Sequence, residues 1–209
     1  MSEDLWLKRI RNYAGFLGAV LPWLSLLGAA LVNARTPLGH GFWSDLSISG
    51  TYYVTPALAG ILTTASIVLM CYDGYDKWDS MITTISGVFG ICIVLFPCKC
   101  SVSPAYTGFF QLPESVSSIF HCTSAVIFFC LLAYNSIFLF TKSHGEMTDK
   151  KKLRNKVYIG CGIGMLSAMV LMPLPISFPA KTWWVEMIAL TFFGISWLVK
   201  GAAFKFLND

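Results

Sequence analysis

His121 and Glu186 are the side chains on which chemistry could be built in this chain, because both are ionisable and both lie inside long apolar stretches. A charge at the centre of a membrane helix costs about 2.5 to 3.5 kcal/mol on insertion scales, so such residues face a packed interior or a wet cavity. An imidazole set against a carboxylate can hold a ligand headgroup, a metal or a mobile proton. Asp45, in the polar run Trp43-Ser44-Asp45-Leu46-Ser47-Ile48-Ser49, is a third candidate. Ser117, His121, Ser124 and Asn135 recur at spacings that keep them on one helical face, with Phe128 between them. The expected ligand-binding set is therefore His121, Glu186, Asp45, Ser117 and Ser124, lining a polar pocket in the outer leaflet. A hydrogen-bonded clamp between two helices, with no ligand, uses the same residues and stays open beside it.

Other constellations carry less. Cys98 and Cys100 form a C-x-C that is not a common zinc spacing, and a thiol pair or a disulfide explains it as well. Asp73, Asp76 and Asp79 place an acid at every third position, a pattern that can bind a cation; a turn at Gly74 with Asp79 or Ser80 capping the next helix accounts for it equally. Gly160, Gly162 and Gly164 imitate part of a dinucleotide fingerprint but lack its strand-turn-helix setting. Ser117 is one turn from His121, yet no nucleophile elbow surrounds it. No catalytic residue, metal ligand or cofactor is expected from these patterns, and the balance is against an enzyme.

The elements that must position these residues follow from composition. Of the 209 residues 56% are hydrophobic and 12% charged, with a mean hydropathy of +0.65. Soluble domains carry about 25% charged residues. No segment is long or polar enough to fold as a soluble nucleotide-binding or DNA-binding domain, so residues 1–209 read as one membrane domain and nucleic acid is not an expected partner. Six apolar stretches have the length of a membrane helix: 13–32, 52–72, 81–97, 116–141, 157–176 and 183–204. Barrel strands are excluded because runs such as 125–132 are apolar on consecutive positions. Only His121, Glu186 and Lys200 are ionisable within those stretches, and Lys200 lies near an end where it can snorkel.

Basic residues set the direction. Lys8, Arg9, Arg11, Lys77, Lys142, the 150–156 cluster, Lys200 and Lys205 fall on one side, leaving Arg35, Lys99 and Lys181 on the other. The positive-inside rule then places both termini in the cytoplasm. The 150–156 cluster serves as a topology determinant or as a site for anionic lipid. Pro22 is expected to kink the first helix, Pro56 falls in a first turn, and Pro173 with Pro175 end the fifth. Gly160, Gly164 and Ala168 form a small-residue stripe, a packing face within one chain or between copies in a homo-oligomer.

The order of these features resembles a group of six-helix membrane proteins that includes the damage-regulated autophagy modulators and the FGF-receptor-activating protein family, with bacterial relatives. The resemblance covers most of the chain and rests on the 43–49 run, Gly108-Phe109-Phe110-Gln111, His121 followed by Ala125 and Phe128, and Glu186 at the opening of the last helix. The Cys98-Lys99-Cys100 segment departs from the pattern. The resemblance implies a lipid-associated role without a defined catalytic centre. The expectation is an all-α bundle of six transmembrane helices in the plasma membrane that binds a lipid headgroup or small amphiphile, with membrane lipids as its partners. A proton- or ion-coupled transporter and a membrane-embedded lipid hydrolase are the alternatives.

Overall fold

A computed structural model describes residues 3–74, 76–143 and 147–207, with the side chains of Glu3 and Asp4 left aside. Helix α1 spans Glu3–Asn33, a short α2 spans Gly39–Ser44, and a 3-10 turn at Ser49–Tyr53 leads into α3, Ala57–Met70. Helix α4 covers Lys77–Leu95. A two-residue antiparallel pair follows, β1 (Tyr106–Thr107) against β2 (Leu112–Pro113), with Tyr106 opposite Pro113. Helix α5, Glu114–Tyr134, runs on through a π turn at Asn135–Leu139; α6 is Asp149–Leu171 and α7 is Lys181–Lys200.

Local chemistry explains several boundaries. Asp76 caps α4 by accepting the Asp79 amide at 2.9 Å, and Thr148 caps α6 by accepting the Lys151 amide at 3.1 Å. The cap of α4 is thus Asp76, while Asp79 turns inward and Ser80 donates to Asp73. The three acids of this loop therefore serve three different partners. The ammonium of Lys142, 2.6 Å from Asp76, holds that carboxyl below its usual range. Helix α1 is continuous through Pro22. The stretch at 52–72 is not one helix: Pro56 is the N-cap of α3, which has 14 residues and a length of about 21 Å. Helix α6 starts eight residues before the apolar stretch at 157 and stops at Leu171, ahead of Pro173 and Pro175.

Six helices form a closed ring in the order α1, α3, α4, α5, α6, α7, with α7 returning to α1. Four of the described helices are long and apolar enough to cross a membrane by length and composition: Leu5–Asn33, Lys77–Leu95, Glu114–Leu139 and Lys181–Lys200. The ring is closed by a glycine contact, since a Cβ on Gly15 would lie 2.8 Å from the Gly194 carbonyl oxygen and one on Gly194 equally close to that of Gly15. Of the small-residue stripe on α6, Gly164 packs on the Phe192 ring and Ala168 is buried, whereas Gly160 faces open space.

The interior of the ring combines a hydrophobic core with buried polar side chains, and its outside is largely apolar. Ser25, Ser66, Asp79, Thr83, Ser86, Ser117, Asn135, Ser136 and Ser196 have no exposed surface. Leu31, Ile67, Val88, Ile119, Val170 and Ile188 point outward. One end of the ring, the terminal end, carries residues 3–12, 71–74, 76–80, 140–143 and 200–207. The other, the loop end, carries residues 34–56, 96–113 and 172–180.

Candidate functional site

At the loop end, residues 44–48 lie along the first turn of α7, held by the Ala180 amide donating to the Ser44 carbonyl at 3.2 Å and the Trp183 amide to that of Leu46 at 3.1 Å. Glu186, the next turn along, meets the end of this segment. Its Oε2 accepts the Ile48 amide at 2.5 Å, and its Oε1 accepts the Ser49 hydroxyl at 2.5 Å. Ser49 Oγ is also 3.0 Å from His121 Nε2 on α5. His121 Nδ1 faces the carbonyls of Phe96 at 2.9 Å and Ile93 at 3.1 Å, where α4 ends. One imidazole and one carboxylate, joined by a serine, thus link α4, α5, α7 and the 44–49 segment.

Proton accounting fixes the state of this chain. Two carbonyls cannot donate, so Nδ1 carries a hydrogen. Ser49 has one hydroxyl proton, and two contacts, to His121 and to Glu186, need one each. The chain therefore holds one more proton than a neutral imidazole beside an ionised carboxylate. That proton sits on Nε2, giving imidazolium and carboxylate, or on Glu186, with Ser49 then donating to Nε2. The three groups have zero net charge in both forms, so burying them avoids the cost of an uncompensated ion.

This linkage borders a cavity of about 910 Å³. Leu21, Leu58, Leu62, Ile93, Phe128 and Leu190 line its depth; Asp45, Ser47, Lys99 and Lys181 stand with His121 and Glu186 around its polar part. Helices α5 and α6 close on each other toward the terminal end, where Ser136 Oγ donates to the Tyr158 carbonyl at 2.8 Å and Gly162 abuts Ile137 and the Ala133 carbonyl. Toward the loop end Val126 and Phe129 of α5 and Met169 and Met172 of α6 flank the cavity instead.

Of the five residues singled out from sequence, His121, Glu186 and Asp45 border this cavity, while Ser117 and Ser124 do not. Ser117 is fully buried and donates to the Pro97 carbonyl at 2.8 Å, tying α5 to the end of α4; Ser124 is buried on the same face. His121 and Glu186 direct their hydrogen bonds to the protein itself. The charges left at the mouth are the exposed Asp45 carboxylate and two ammonium groups. Lys99 pairs with Glu114 at 2.7 Å, and Lys181 caps α6 through the Met172 and Leu174 carbonyls at 3.0 and 2.5 Å. Ser49 is the residue that sequence reasoning missed. It stood in the quoted polar run, but no periodicity links a turn residue to helices 72 and 137 positions away.

Cys98, Cys100 and Cys122 also border the cavity, all as free thiols. A hydrogen bond with Cys122, together with burial, pushes the Cys98 thiol up, and burial does the same to Cys100. Among the described residues no group of three or more His, Cys, Asp or Glu is placed to hold a metal ion. Comparison with protein-family models, with curated proteins and with solved structures finds no match.

Proposed function

We propose that this chain is an integral membrane protein of six spans that holds an amphiphile in the loop-end cavity, its tail in the apolar depth and its polar end among Asp45, Lys99 and Lys181. The observation that carries the reading is the cavity itself. Its size falls in the range of small-molecule sites, about 300 to 1,000 Å³, and its lining passes from charged and hydroxyl groups at the mouth to aliphatic and aromatic side chains below. The role of His121, Ser49 and Glu186 in this reading is to fix the 44–49 segment beside the cavity.

Membrane insertion is supported by the outward-facing apolar side chains on α1, α3, α4, α5, α6 and α7. The short α3 and the basic start of α6 become spans when the adjoining 3-10 turn and the residues beyond Leu171 are included. The basic residues gathered at the terminal end support a plasma-membrane orientation with both termini in the cytoplasm and the cavity in the outer leaflet. A lipid-associated role is also what the resemblance to the autophagy-modulator and receptor-activating group implies.

The test is native mass spectrometry of the detergent-purified full chain beside Ala125→Trp. Ala125 borders the cavity and takes no part in the His121 linkage, so an indole there fills the space without breaking the clamp. A retained amphiphile on the wild type that is lost from the variant is expected. Equal loading of both, or bare protein after lipid is supplied, would refute the reading.

A further inference from the structure

At the terminal end half-buried cations and one buried carboxylate gather over an aromatic floor. Tyr72, Trp197, Phe140 and Tyr158 form a chain of edge-on rings with centroids 5.1, 5.3 and 5.5 Å apart, and none exposes more than 2% of its surface. Arg11 of α1 lies over Tyr72 at 5.3 Å, Lys200 of α7 over Phe140 at 4.9 Å, and Lys151 of α6 over Tyr158 at 5.9 Å. The charges of Arg11, Lys151 and Arg154 are all near enough to act on that of Lys200. The carboxylate acting on it is Asp79, which has no exposed surface and is reached by Tyr72 Oη at 3.3 Å and Asn135 Nδ2 at 3.4 Å.

The charges do not balance. Among the described residues neither Arg11 nor Lys200 forms an ion pair with a carboxylate, and the Arg11 Nε is buried without an acceptor. Arg11 donates to the Tyr72 hydroxyl at 3.3 Å. A guanidinium fork beside an ammonium matches a tetrahedral oxyanion, which takes two parallel N–H bonds from the arginine and a point charge from the lysine. The site lies within the first three turns of α1 and at the last residue of α7, the depth at which basic clefts between helices meet anionic headgroups.

We infer that the terminal end of the ring, between α1, α6 and α7, binds a phosphate oxyanion through Arg11 and Lys200. The site is separate from the loop-end cavity and independent of what that cavity holds. Asp79 is its internal competitor: it supplies part of the negative charge that the ligand supplies in full.

The full chain in a phosphate-free maltoside detergent is titrated with dioctanoyl phosphatidic acid and, separately, with inorganic phosphate, reading the midpoint of thermal unfolding. A saturable rise is expected. Lys200→Gln or Arg11→Gln should weaken the apparent affinity at least tenfold, and Asp79→Asn should tighten it several-fold. Purely structural roles for these residues would not produce that opposite pair of signs. A response to the lipid alone identifies a headgroup, and an equal response to inorganic phosphate identifies the free ion; both support the site. No saturable rise with the wild type, or equal affinities across the variants, overturns it. Should one cation variant fail to give a monodisperse protein, the other and Asp79→Asn decide.

Discussion

Replacing Ser49 by Ala removes one oxygen and with it both contacts that join His121 to Glu186, at 3.0 and 2.5 Å. In the imidazolium–carboxylate form both are hydrogen bonds to charged groups, which contribute about 1.5 to 3 kcal/mol each. The lower value applies to each here, because Glu186 keeps the Ile48 amide and His121 keeps its two carbonyls. The expected loss is about 3 kcal/mol, which for a chain of this size is a fall of roughly 6 to 12 °C in the unfolding midpoint. Tryptophan fluorescence of the detergent-purified protein reads it directly, since Trp183 lies on the first turn of α7 beside the clamped segment. A double-mutant cycle with Glu186→Gln sharpens the test. Once the bridge is gone the second change has less to remove, so the double variant should be more stable than additivity predicts by about 1 kcal/mol or more. A midpoint within about 2 °C of wild type for Ser49→Ala, together with an additive cycle, would refute the bridge.

Two neighbouring glycines on α6 should respond with opposite signs. Gly160→Ala meets open space and gains helix propensity of up to about 1 kcal/mol. Gly162→Ala drives a methyl into Ile137 and the Ala133 carbonyl and costs about 1 to 3 kcal/mol by overpacking. Midpoints that move together would contradict the packing of α5 on α6. The thiol of Cys98, pushed up by Cys122 and by burial, should alkylate with maleimide more slowly at pH 7 than the exposed Cys71 and should accelerate as pH rises. Because the thiolate is the nucleophile, Cys122→Ala should shorten that lag; equal rates in both proteins would sink the assignment. Proteoliposomes containing the wild type should show no proton or cation flux above empty vesicles, and a flux abolished by Glu186→Gln would replace the binding reading with transport.

The sequence announces the helices because lipid-length apolar stretches and basic flanks are local signals, and the polar face of α5 is legible for the same reason. Ser117, His121, Ser124, Phe128 and Asn135 are all buried, as their helical spacing requires. What spacing cannot carry is the partner across the ring. Ser117 and Ser124 share a face with His121 but do not border the cavity; Ser117 instead joins α5 to the end of α4. Ser49 has no periodic relation to anything, and its role exists only once residues 44–48 are laid along α7. Asp79 reads as a cap because it opens an apolar stretch. Helix α4 begins four residues before that stretch, at Lys77, and the difference places Asp79 inside the first turn, facing the interior. A shift of about one turn is enough to change a carboxylate from a helix cap into a buried partner of Tyr72 and Asn135.

The separation of the two polar centres is what favours holding over conducting. His121 and Asn135 lie on one face of α5, fourteen residues and about 21 Å apart. Between them that face presents Phe128 and Leu132, exposed by 1% and 0%. Phe128 contacts Phe129 and Phe193, with centroids 5.3 and 6.4 Å away, and Phe193 in turn packs on Trp197 of the aromatic floor. A proton or ion leaving the His121 linkage toward Asp79 would have to pass these apolar side chains, beside which the buried Ser66 hydroxyl offers a single oxygen, and lost hydration costs several kcal/mol per unsatisfied group. The same layer that blocks passage forms part of the depth of the loop-end cavity, through Phe128. In the proposed reading an apolar tail would rest on this same surface, which suits an amphiphile better than an ion.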